Sequence, residues 1–124
     1  MAKQAEEIAW LPVPEEKNYP AALSYLSLLY PEKEAAALVA KLRKAKVTQF
    51  KAKDIFRASQ LSLLGVSNSH VKKDQKKIRK RIHLSPLLLV RSPQHGKVVI
   101  ADGYHRLCAV YQHHEDIWIR CKIA

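Results

Sequence analysis

Five consecutive residues, Asp102-Gly103-Tyr104-His105-Arg106, place a carboxylate, a glycine, a phenol, an imidazole and a guanidinium side by side. The apolar run 98–101, VVIA, comes just before them. Leu107, Val110 and Tyr111 follow at a spacing that predicts one face of a helix over 104–114. A strand ending at Asp102, a turn at Gly103 and a helix opening with His105 and Arg106 have a chemical use. The first turn of a helix carries unpaired N–H groups and a partial positive charge. Glycine lets the backbone approach a ligand, Arg106 offers a planar fork for phosphate oxygens, and His105 offers a donor of adjustable charge. Such a turn is suited to an anion, above all a phosphate. On these residues alone, an ordinary strand-to-helix turn accounts for the pattern equally well, with Asp102 as a cap and Arg106 on the surface.

The elements that must position this turn are legible around it. Residues 86–91, PLLLVR, read as a buried strand opened by proline. Residues 92–97, with Pro93 and Gly96, read as a hairpin-type turn into 98–101. In 117–123, IWIRCKI, alternation is strict: Ile117, Ile119, Cys121 and Ile123 face one way, and Trp118, Arg120 and Lys122 the other. Asn68 or Ser69 suits the N-cap of a helix over 70–82, with Val71, Ile78 and Ile82 as its apolar stripe. Lys72, Lys73, Lys76, Lys77, Arg79, Lys80 and Arg81 cover the rest of that helix. Residues 47–55 read as a strand. Leu61, Leu63 and Leu64 before Gly65 read as a short helical turn. Residues 19–30 and 32–45 read as two helices separated at Pro31, the second with Glu early and Lys late, as the helix dipole favours. Residues 1–18 read as an extended arm docked by Trp10.

A chain of 124 residues is sized for one domain. No apolar run approaches the ~20 residues of a membrane span, and the first ten residues lack the apolar core of a signal peptide. Two cysteines, Cys108 and Cys121, fit free thiols in a reducing compartment, so a cytoplasmic protein without membrane association is expected. The net charge is +11, yet residues 1–40 hold six Glu against three Lys. Residues 41–81 hold fourteen Lys or Arg against Asp54 and Asp74. That asymmetry favours a polyanionic partner, nucleic acid first, bound through its backbone without reading sequence. The six His and two Cys lack metal-site spacing, so no protein-only metal site is expected.

Residues 78–111 resemble the core of the ParB/sulfiredoxin superfamily. The likeness runs through Ile78, LSPLLLV at 84–90, a short turn, VVIADGYHRLCAVY at 98–111, and a closing strand at 117–123. It implies an α/β (α+β) domain over 47–124, a small mixed sheet with helices, to which 1–46 adds an arm and a helical pair. It also implies nucleotide-phosphate binding at Gly103, Tyr104, His105 and Arg106, with Arg57 contributing from the first strand region. The ligand would be a nucleoside triphosphate, CTP or ATP, with Mg²⁺ near Asp102, the one candidate catalytic residue. A homodimer is compatible with the family.

Three departures narrow the expectation. Sulfiredoxin needs a cysteine where Tyr104 stands, so sulfinic acid reduction is not expected. A free-serine kinase branch has an Asp-Gly-His-His-Arg turn, close to 102–106 here, but uses a glutamate after the first strand, where this chain has Arg57, Ala58 and Ser59. Partition proteins carry a helix-turn-helix domain after the nucleotide module, and the residues up to Ala124 offer none. The expected function is therefore nucleotide-phosphate binding associated with DNA. One alternative is a small ATP/ADP-dependent phosphotransferase or NTPase. Another is a nucleotide-free DNA-binding adaptor in which 47–81 forms a helix-turn-helix.

Overall fold

The computed structural model describes residues 8–63 and 68–124. Four strands form one mixed sheet in the order β1-β4-β2-β3, where β1 is Thr48–Lys51, β2 Leu87–Ser92, β3 Lys97–Asp102 and β4 Trp118–Ile123. β1 and β4 are antiparallel, as are β2 and β3, while β2 and β4 run parallel through the centre. A single 3₁₀ turn, Pro93–His95, and Gly96 in the left-handed region close the β2–β3 hairpin.

Helices cover both faces of the sheet. On one face lie α1 (Asn18–Leu29) and α2 (Glu32–Lys44), whose Ala22, Leu26, Val39 and Leu42 pack on Leu88, Val90, Val99 and Ala101. On the other lie α3 (Ala52–Ser59), α4 (Ser69–Arg79) and α5 (Tyr104–His113), packed on Leu87, Leu89, Ile100, Ile119 and Cys121. Successive side chains of a strand point to opposite faces, so a strand covered on both sides must be apolar throughout. That is the cause of the unbroken LLLV run in β2. In β4 the parity is as read, and the same covering buries Lys122 on the second face. Its residue is only 6% exposed, and its ammonium donates to the Arg43 carbonyl at 3.0 Å near the end of α2.

Two other expectations need correcting. The strand expected over 47–55 stops at Lys51. Ala52, Ile55, Phe56 and Ser59 are the buried residues of α3, a spacing of three, four and seven that belongs to a helix. The helix expected over 70–82 ends at Arg79, and Arg81 sits at φ 61°. Ile82 is exposed, and the buried stripe of α4 is Val71, Asp74 and Ile78. The short turn expected at 61–65 falls partly outside the described residues, since Leu64 and Gly65 are not among them, and Leu61 to Leu63 adopt no regular structure. Helix α2 starts at Glu32, with Pro31 as its N-cap rather than its first residue.

The arm is tied to the domain by backbone hydrogen bonds. Leu11 N–H donates to the Leu84 carbonyl at 2.8 Å, Leu84 N–H donates to the Ala9 carbonyl at 2.8 Å, and Trp10 packs half-buried against the core. No described helix is long and apolar enough to cross a membrane.

Candidate anion site between α4 and α5

The turn after β3 has the geometry that its residues predict. Gly103 is the N-cap of α5 at φ 111°, ψ 15°, a conformation that side chains disfavour. It is also wedged: a Cβ there would lie 2.6 Å from Leu87 Cγ and 2.9 Å from an Arg106 guanidinium nitrogen. No side chain caps this helix start. The Leu107 N–H bonds to the Gly103 carbonyl at 2.9 Å, and the amides before it belong to the unpaired first turn.

Arg106 folds back across the turn. Its Nη2 donates to Asp102 Oδ2 at 3.2 Å and comes within 3.5 Å of the Pro86 carbonyl oxygen. Both side chains of the pair are mostly buried, at 17% and 19% exposure. The Arg106 Nε is fully buried and has no hydrogen-bond partner among the described residues. A buried donor without an acceptor is costly.

Helix α4 supplies the opposite wall. Its Asn68 cap accepts from the His70 and Val71 amides at 3.0 and 3.2 Å, which sets the helix start. The helix packs along α5, and Gln75 Nε2 donates to Gln112 Oε1 at 2.9 Å between them. This packing brings the first turns of the two helices together, so that the His70 and His105 rings stand 4.7 Å apart. The resulting cleft, of about 260 Å³, is lined by His70, Lys73, Asp74 and Lys77 from α4 and by residues 102–106 from the turn.

The electrostatics follow from this crowding. Burial raises the Asp74 carboxyl above its ordinary value, and the cations Lys77, Arg106, His105 and His70 pull against that rise. Lys77 Nζ stands 4.0 Å from Asp74 Oδ1. Burial, then the neighbouring His70, lowers the His105 imidazole, and Asp74 partly offsets the change. Burial raises the Tyr104 phenol, with Cys108 adding to the effect, and its hydroxyl donates to the Ser62 carbonyl.

Of the residues singled out in the sequence, Asp102, Gly103, Tyr104, His105, Arg106, Lys73 and Lys77 meet in this cleft. Lys72, Lys76 and Arg79 do not; with Ser69 and Lys73 they line a second, shallower groove of about 400 Å³ along α4. Lys80 and Arg81 lie exposed beyond the helix end. Arg57 stands on the exposed side of α3, where Nη2 reaches Asp54 Oδ1 at 3.3 Å, and it is not among the residues lining the cleft. The described residues of 47–81 form β1, α3 and α4, with α4 packed on α5 and α3 on β1, β3 and α5.

Sequence reasoning gave no role to His70 and Asp74. A signal for Asp74 was present: it falls between Val71 and Ile78 on the inward stripe of α4, where an acid needs partners to be tolerated. Among the described residues, no group of three His, Cys, Asp or Glu is placed to hold a metal ion. The chain matches no protein-family model, no curated protein and no solved structure.

Proposed function

We propose that the chain is a ParB/sulfiredoxin-like domain that binds nucleotide phosphates between α4 and α5 and associates with nucleic acid through α4. The observation that carries this reading is the meeting of Lys73 and Lys77 with the Gly103 turn, His105 and Arg106 in one polar cleft. The element order supports the family assignment: a basic helix, Pro86 before β2, a hairpin, β3, the glycine turn, α5 and a closing β4. Mg²⁺ commonly binds through one or two carboxylates together with substrate phosphates, so it would arrive with the nucleotide. Asp102 is the carboxylate of the turn that could meet it, and its other task is to hold the Arg106 fork.

Thermal shift with ATP and CTP, with and without Mg²⁺, tests the reading, because a ligand of the native state raises Tm. Arg106→Ala should remove most of the shift, a loss of about 1.5–3 kcal/mol of binding, or roughly ten- to a hundredfold. Arg106→Lys should not restore it fully, since a point charge lacks the planar fork. No shift with any triphosphate would overturn the proposal and leave the nucleotide-free DNA-binding adaptor in first place.

A second reading, a small phosphotransferase or NTPase, is favoured by Asp74. It is a mostly buried acid with a raised pKa beside His105, the kind of group that serves as a general base. Phosphate release or transfer that disappears in Asp74→Asn would select this class.

A further inference from the structure

The cleft and the basic face of α4 are not separate surfaces. Lys73 lines both the cleft and the adjoining groove of Ser69, Lys72, Lys76 and Arg79. We infer that the two form one continuous track and that the cleft takes the terminal phosphomonoester of a nucleic acid strand whose following phosphates lie along α4. This rests on the phosphate-binding reading above and names a different ligand, a strand end rather than a free nucleotide.

The number of donors converging on the cleft suits a chain end better than an internal phosphate. Lys73, Lys77 and Arg106 converge there, with the carboxylates of Asp74 and Asp102 among them. A phosphomonoester brings up to two negative charges and three free oxygens at neutral pH, whereas an internal phosphodiester brings one charge and two such oxygens. The uncapped first turn of α5 gives those oxygens amide donors that no side chain of the protein takes. Beyond Lys73 the cations continue in a row. Lys72 to Lys76 spans about 6 Å of helix rise and Lys76 to Arg79 about 4.5 Å, so successive positive charges follow a backbone rather than a compact ligand. A free nucleotide would fill the cleft and leave that row without a partner.

Fluorescence anisotropy on short oligonucleotides of one sequence tests this, with the end left free, 5′-phosphorylated or 3′-phosphorylated. A phosphorylated end should bind at least tenfold tighter than the free end. A gain at one end identifies the polarity, and a gain at both places recognition on the monoester itself. Arg106→Ala should bring the ratio between phosphorylated and free ends close to one, and Lys73→Glu, an exposed change that spares folding, should reduce both the ratio and the affinity. Lys76→Glu should weaken all probes alike and keep the ratio. Equal binding of phosphorylated and free ends by the unaltered protein overturns the inference. If triphosphates still raise Tm in that case, the nucleotide-binding proposal stands, and if they do not, both fall together.

Discussion

The imidazoles of His70 and His105 face each other at 4.7 Å, each from the first turn of a different helix. Burial disfavours the charged ring and a second imidazolium so close would oppose it further, so His105 holds its proton less firmly than a free imidazole. Its native pKa lies below that of the unfolded chain. The native state therefore loses stability as pH falls below the ordinary value of 6.5 toward the native one. An NMR titration should show His105 below that value. His70→Gln should raise it by removing an opposing charge, and Asp74→Asn should lower it further by removing a supporting one. An anion in the cleft favours the imidazolium, so phosphate affinity should grow as pH falls through the His105 transition.

Gly103 cannot carry a side chain without moving Leu87. Gly103→Ala combines a positive φ with a 2.6 Å contact and should cost about 1–3 kcal/mol in urea unfolding, together with phosphate binding. Gly96→Ala is the control, with φ 67° and no atom within 4 Å of the added carbon. It should cost only about 1–2 kcal/mol of backbone strain and leave ligand binding intact. Equal losses of binding in both variants would detach Gly103 from the site.

Lys122 fastens the α1–α2 layer to the sheet. Its ammonium donates to the Arg43 carbonyl at 3.0 Å and lies 5.6 Å from the Tyr19 ring centre. Lys122→Met should keep the packing of the stem and lose the charged hydrogen bond, a cost of about 1.5–3 kcal/mol by chemical unfolding. The triphosphate-induced Tm shift should persist, because this layer lies on the far side of the sheet from the cleft.

Cys108 and Cys121, which share no disulfide, are buried in the core between the sheet and α3–α5. Burial pushes the Cys121 thiol up to about 12, so little of it is thiolate at neutral pH. A thiol-reactive dye should label the native protein slowly and the unfolded protein at once. Cys108→Ala and Cys121→Ala should each cost about 1 kcal/mol of stability and keep phosphate binding. Loss of binding in folded Cys108→Ala would assign that thiol to the site.

The turn at 102–106 was legible because its signals are local: an apolar run, a glycine, then helical spacing from Leu107 to Tyr111. The same holds for the hairpin at Pro93–His95 and for the early acids and late bases of α2. Helix α3 departs from the strand expected there although its signal is local too. Ala52, Ile55, Phe56 and Ser59 follow the helical period, but a short segment after Thr48 invites reading the strand onward. The other differences have a different origin. Nothing in IWIRCKI shows that Lys122 is buried, because that depends on α1 and α2 lying across the second face of the sheet. Nor does spacing within α4 reveal that His70 meets His105, thirty-five positions away. Periodicity between near neighbours determined most of the elements and the strand-glycine-helix turn. The packing of α4 along α5 decided which basic residues face the cleft, which line the outer groove, and that Asp74 stands among cations, because those distances are set through space rather than along the chain.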